Sequence, residues 1–192
     1  MRIVIIGCGH MAQIQIPFIQ KIKDVQLVAL CDKNEIRGKE LADRYSIPYF
    51  ISISKMLKNI TPDIVHILTP PQTHAKIAIQ CLNFGCHIFV EKPLCLTMSE
   101  FDNIFKVAQL NNRIISIDYT HLWSPLFQKA LQVVQSGQIG RVINIQYVMG
   151  DDYLEGIKED YGKWVLDLRG GVFADLIPHP LYLIRAFIPE LK

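Results

Sequence analysis

An apolar run, Arg2 to Ile6, hands over to Gly7-Cys8-Gly9-His10-Met11-Ala12, and this segment restricts the fold more than any other stretch of the chain. Glycine at 7 permits a tight turn, glycine at 9 lets a backbone approach a diphosphate, and the small Ala12 allows the following helix to pack closely on its strand. The start of that helix, at His10 and Met11, offers amide N–H groups and a partial positive charge to an anion. A second apolar run, Gln26 to Cys31, ends in Asp32, 20 residues beyond Ala12, where a carboxylate can accept hydrogen bonds from an adenosine ribose. Strand, turn, helix and acid in this order predict a dinucleotide-binding βαβ unit.

The rhythm continues downstream. Ile64 to Leu68, His87 to Val90 and Ile114 to Ile117 read as further strands, with a weak one at Pro48 to Ile51. Helical periods fall at about Met11 to Ile22, Glu35 to Tyr45, His74 to Phe84 and Glu100 to Leu110, with a short helix near Lys55 to Leu57. Thr73 before one helix and Gly85 after it read as caps, and Ser99 with Asp102 resembles a capping box. Alternating strands and helices predict an α/β fold, a doubly wound parallel sheet over residues 1–120. From 121 to 192 the pattern changes. Ser124-Pro125 opens a helix that should stop at Gly137, Arg141 to Met149 reads as a strand, and an apolar segment from Gly170 to Ile188 follows a polar, aromatic loop. One strand and one or two helices close no core of their own, so this part is expected to be the opening of an α+β domain that is not all present. An unpaired apolar strand invites association, which predicts a homo-oligomer or a complementing chain.

Half of the 192 residues are apolar, enough for a core and too many for a disordered chain. Twenty Lys and Arg against 18 Asp and Glu, scattered rather than clustered, leave no electrostatic footprint for nucleic acid. The longest apolar stretches fall far short of the ~20 residues of a bilayer span, so no membrane helix is expected. The first run is too short for a signal-peptide core, and the protein is read as cytoplasmic. Cys8, Cys31, Cys81, Cys86 and Cys95 follow no zinc or disulfide spacing and are read as reduced, mostly buried thiols; no metal-ligand spacing emerges.

Asp32 also bears on the cofactor. A carboxylate there repels the additional phosphate of NADP and favours NAD. Lys33 and Arg37 are read as solvated helix surface, although either could neutralise that phosphate if Asp32 turned away, which leaves NADP open.

A second group of residues comprises Leu68-Thr69-Pro70-Pro71, Thr73-His74 and Phe89-Val90-Glu91-Lys92-Pro93. Here the sequence strongly resembles the glucose-fructose oxidoreductase and inositol dehydrogenase family (Gfo/Idh/MocA), from residue 1 to about 188. The resemblance implies that Thr69, Pro70 and His74 line the cofactor channel, that Glu91 stands beside the nicotinamide end, and that Lys92 is the active-site lysine, before a Lys92-Pro93 bond suited to cis geometry. Independently, residues after a strand at the carboxyl edge of a parallel sheet lie where such folds bind ligands, and a cation there would polarise a carbonyl. His66 and His87 are read as structural.

The third group, Gly170-Gly171 followed by Asp175 and His179, looks like the family's GG and DxxxH segment. The resemblance makes His179 the general acid or base and Asp175 its partner. The i,i+4 spacing would put both on one helix face, but Pro178 lacks an N–H and can break the helix between them. Tyr161 and Trp164 are read as packing on their own domain, and Tyr119 and His121 receive no role. The resemblance implies an NAD(P)-dependent oxidoreductase that moves a hydride between nicotinamide and a secondary alcohol of a small sugar, cyclitol or nucleotide-sugar. The rival reading is a dinucleotide-binding module without turnover, or one half of a split enzyme.

Overall fold

The computed structural model describes residues 1–149 and 163–188. The chain forms two compact units, Met1–Asp118 and Tyr119–Lys192.

In the first unit, β1 (Arg2–Ile6), β2 (Gln26–Cys31), β3 (Tyr49–Phe50), β4 (Ile64–Ile67), β5 (His87–Glu91) and β6 (Ile115–Asp118) make one six-stranded sheet. The order is β3-β2-β1-β4-β5-β6 and every pairing is parallel. Successive side chains of a strand face opposite ways, and both faces here are apolar. Val4 and Ile6 join Val65, Ile67, Ile88 and Val90 on one face. That face is covered by Met56 and Leu57 of α3 (Ile53–Ile60), Ala78, Cys81 and Leu82 of α4 (His74–Asn83), and Ile104 of α5 (Met98–Leu110). Ile3, Ile5, Leu27 and Leu30 face the other way, against Ala12 and Ile16 of α1 (His10–Ile19) and Leu41 of α2 (Glu35–Tyr45). Each fully buried aliphatic side chain contributes roughly 1.5–3 kcal/mol of transfer free energy, so two continuous cores hold the sheet between helical layers.

The helix ends differ from expectation in two places. At α5, Thr97 rather than Ser99 is the cap: its hydroxyl accepts from the Glu100 amide at 3.2 Å, and the Glu100 carboxylate accepts from the Thr97 amide at 3.1 Å. The Ser/Thr-x-x-acid pattern occurs in two registers, and the Glu side chain has the length to reach back to the cap amide. At α4, Thr73 lies in a 3₁₀ turn, Pro71–Thr73, that runs straight into the helix. Its hydroxyl goes to Thr69 Oγ1 and the Pro70 carbonyl instead of capping. Gly85 does follow α4 in the left-handed region, at φ +81°.

In the second unit, α6 spans Pro125–Gln135 with Pro125 at its first position. Residues 141–149, expected to form a strand, form none: strand geometry is stabilised by a hydrogen-bonded neighbour, and no described residue supplies a ladder. The apolar segment makes two helices, α7 (Gly171–Leu176) and α8 (Pro178–Phe187), broken at Ile177. Phe127 of α6 meets Phe187 of α8 edge-on at 5.1 Å. Tyr161 lies outside the described residues, and Trp164 is half-buried in a 3₁₀ turn, Lys163–Asp167. No helix of the described residues is long and apolar enough to cross a membrane.

Candidate functional site

The carboxyl edge of the sheet gathers the residues that follow β1, β2, β4 and β5. Gly7 takes φ +99°, and its amide donates to the Cys31 carbonyl at 2.8 Å, so the turn after β1 is stitched to the end of β2. A Cβ on Gly7 would stand 2.6 Å from the Leu68 carbonyl oxygen, which ties the glycine to the close passage of β4. Gly9 is different: a Cβ there would meet nothing within 4 Å. Glycine at 9 thus keeps open a space over the turn that no protein atom needs. The helix behind it, α1, starts at exposed His10 with no capping side chain. A backbone cradle left open in front of a helix N-terminus fits a diphosphate.

Asp32 is buried, and its carboxylate is held in this turn. Oδ2 accepts from the Cys8 amide at 2.7 Å, Oδ1 from the Asn34 amide at 2.8 Å. The glycine turn and the acid at the end of β2 are therefore one hydrogen-bonded assembly. Arg37, exposed as expected, also pairs with Asp32, its Nη2 reaching Oδ2 at 3.0 Å and Oδ1 at 3.1 Å. Asn34 caps α2 by accepting from the Arg37 amide, and this folds the first turn of the helix back over the strand end. Lys33 is exposed as expected.

The neighbouring thiols are inert. Burial first, and then the negative charge of Asp32, pushes both Cys8 and Cys31 up to about 12, so neither is a thiolate near neutrality.

Thr69 and Pro70 follow β4 and are half-buried; Glu91 closes β5 and precedes Lys92 and a cis Lys92–Pro93 bond. His74 joins these two loops. Expected to line the cofactor channel, it is fully buried, with Nδ1 2.8 Å from the Pro93 carbonyl and Nε2 2.6 Å from the Thr69 carbonyl. It acts as a brace, and burial pushes its pKa below the ordinary histidine value. His66 is likewise internal to the unit, hydrogen-bonded to Gln15 and stacked on Phe89 at 4.7 Å.

In the second unit the helix break assigns Asp175 to α7 and His179 to α8, so their spacing is not the i,i+4 of a single helix. Pro178, unable to donate an amide, takes the first position of the new helix. Asp175 is buried; His179 is half-buried, its Nδ1 2.8 Å from the Tyr182 hydroxyl. Tyr182 stacks on Tyr119 at 4.4 Å, and His121 meets His179 edge-on at 4.9 Å. Tyr182 escaped sequence reasoning although it stands three residues after His179, on one face once the helix starts at Pro178.

Residues 1–119 match the oxidoreductase family with an NAD-binding Rossmann fold, Gfo/Idh/MocA, and residues 127–192 match the Gfo/Idh/MocA C-terminal domain. The chain belongs to the Gfo/Idh/MocA family. A 1-carboxy-3-chloro-3,4-dihydroxycyclohexa-1,5-diene dehydrogenase of Comamonas testosteroni is 30% identical over 186 residues, which are 96% of this chain and 47% of that protein. A myo-inositol 2-dehydrogenase of Thermotoga maritima is 24% identical over 191 residues, 99% of this chain and 55% of the relative. Among solved structures, the myo-inositol 2-dehydrogenase of Lactobacillus plantarum superposes with a TM-score of 0.83 at 25% identity, over 97% of this chain and 56% of the other. The chain thus spans about half the length of these Gfo/Idh/MocA relatives.

Proposed function

We propose that this chain serves an NAD-dependent dehydrogenase acting on a secondary alcohol of a sugar, cyclitol or nucleotide-sugar. The observation that carries the reading is the bond from the Cys8 amide to Asp32, which joins an open, glycine-lined helix N-terminus to an acid suited to a ribose. Gly7, Gly9, His10 and Met11 would hold the diphosphate end through backbone amides, and Asp32 the adenosine. Bound NAD supplies the hydride acceptor.

For Lys92 the proposed role is electrostatic. Its ammonium stabilises negative charge developing on the alcohol oxygen, the kind of contribution that is greatest away from bulk water. For His179 the proposed role is to take the hydroxyl proton, for which an imidazole is suited near neutral pH. Asp175 would stabilise the resulting positive charge. The names of the relatives favour a cyclitol-like ring as the first substrate to try.

Two measurements test this. Titration of NADH into the 192-residue chain should show saturable binding, and a panel headed by myo-inositol should show alcohol-dependent reduction of NAD. Lys92→Ala should lower turnover about a hundredfold or more while leaving NADH affinity within about threefold. Binding without reduction of NAD by any polyol would favour a module without turnover; no binding of either nicotinamide dinucleotide would end the reading altogether.

A further inference from the structure

We propose that Cys81 and Cys86 are a modification site, which a low-molecular-weight disulfide oxidises to a bond that staples the end of α4 to the start of β5. Cys86 stands one residue before β5, at the amino edge of the sheet. Roughly 20 Å of strand separates it from Lys92, so the pair takes no part in the chemistry proposed above.

The turn that ends α4 brings the two residues together. The Cys86 amide donates to the Cys81 carbonyl at 3.1 Å, the Gly85 amide donates to the Leu82 carbonyl at 3.0 Å, and Gly85 takes φ +81°. In a helix end of this kind the first and sixth residues customarily touch through apolar side chains. Two other helices of the unit close in the same way: α2 with the Ile47 amide on the Ala42 carbonyl at 3.1 Å, and α5 with the Arg113 amide on the Ala108 carbonyl at 2.9 Å. Of the three, only α4 carries a thiol at both places. A bond of this length holds the two Cα atoms about 5–6 Å apart, within the roughly 4.4–6.8 Å that a disulfide spans. Both side chains are buried in the same apolar cluster, and negative charge on Cys86 bears on the Cys81 thiol.

The chemistry is thiol–disulfide exchange. The Cys86 thiolate attacks one sulfur of the small disulfide and expels the other as a thiolate; the Cys81 thiolate then attacks the Cys86 sulfur and expels the second. One disulfide forms, one is reduced to two small thiols, and those thiols carry away the two cysteine protons. Cys86 reacts first because it lies next to the outside of the turn. Phe84 is 44% exposed and Gly85 half-buried, so fraying of the helix end uncovers Cys86 before Cys81. Burial pushes Cys86 up to about 11, an effect that the Arg113 guanidinium opposes and Asp63 reinforces, and burial pushes Cys81 further. A Cβ on Gly85 would lie 3.7 Å from Arg113 Nη2, and Arg113 Nε is buried with no acceptor, so a cation stands over this turn. In the closed helix end both sulfurs stay protonated; exchange waits on fraying and is slow.

Incubation of the full chain with millimolar oxidised glutathione at mildly alkaline pH, followed by iodoacetamide to block the remaining thiols, tests this. Chymotrypsin cleaves after Phe84 and so parts Cys81 from Cys86. The two fragments should stay joined until a reductant is added, and the oxidised chain should unfold at a higher urea concentration than the reduced one. Cys81→Ala, which installs the residue that α2 and α5 carry at that place, should stop at a glutathione adduct on Cys86. Cys86→Ala should accumulate adduct on Cys81 at least about fivefold more slowly. Fragments that part without reductant, that join only when oxidation is carried out in urea, or that join instead to Cys8, Cys31 or Cys95 each overturn the proposal. Equal urea midpoints for the oxidised and reduced chains overturn the staple, and equal adduct rates in the two variants overturn the order of attack.

Discussion

The carbonyl oxygen of Pro93 lies 2.8 Å from Nδ1 of His74, so a ring at the start of α4 holds the loop that carries Lys92. The opposite nitrogen lies 2.6 Å from the carbonyl of Thr69, which follows β4. A neutral ring carries one N–H, so replacing His74 by Phe keeps most of the volume and removes one hydrogen bond, leaving in dry surroundings the carbonyl that accepted it. An unsatisfied buried polar group costs about 1–3 kcal/mol, so His74→Phe should lose about that much in urea unfolding and should also weaken NADH binding. A variant with wild-type unfolding midpoint would show that the ring does not brace these loops.

Gly7 and Gly9 separate folding from binding. At Gly7 a Cβ would collide with main-chain atoms of Leu68, and the backbone is left-handed. Gly7→Ala should therefore lower stability by about 1–3 kcal/mol. At Gly9 the φ of −80° suits any residue and the space beyond is open. Gly9→Val should unfold within about 0.5 kcal/mol of wild type and yet bind NADH at least about tenfold more weakly. Undiminished affinity in Gly9→Val would place the diphosphate elsewhere.

How much of this was legible follows from what each residue depends on. The strand bounds Arg2–Ile6 and Gln26–Cys31 could be read directly, because a sheet covered on both faces writes itself as continuous apolar runs between turn residues. The pairing of Arg37 with Asp32 could not, since it depends on the fold-back at Asn34 rather than on either residue's chemistry. Residues 141–149 carry the β-branched pattern of a strand, but such propensity expresses packing against a neighbour, and none among the described residues pairs with them. For Asp175 and His179 the warning was in the sequence: Pro178 ends one helix and starts the next.

His66 should make stability depend on pH. The Gln15 amide donates to Asp118 Oδ2 at 2.8 Å, which leaves its carbonyl facing the ring; His66 Nδ1 then donates to it at 3.0 Å and the ring is neutral. Burial pushes this histidine down to about 4 from an ordinary 6.5. Between those values the unfolded chain binds the proton and the folded chain does not, so stability falls as pH drops from about 6.5 and levels off below about 4. The full effect is up to about 3 kcal/mol. Urea midpoints at neutral pH and near pH 4 should differ less in His66→Gln than in wild type. Equal losses in both would mean that this ring takes up its proton without cost in the folded state.

Tyr182 should tune the basicity of His179. Its hydroxyl is 2.8 Å from Nδ1, and its ring is fixed by stacking on Tyr119. A ring that donates Nδ1–H to this oxygen keeps Nε2 as the proton acceptor, and the same oxygen favours the imidazolium once formed. Tyr182→Phe keeps the stack and removes only the oxygen. Loss of a hydrogen bond that favours the imidazolium should move the titration of His179 to lower pH. Nitrogen-detected NMR of histidine-labelled protein follows the titration directly, with His179→Gln identifying the resonance. A midpoint unmoved in Tyr182→Phe would reduce the tyrosine to a packing residue and leave the proton-transfer role proposed for His179 without an orienting partner in Tyr182.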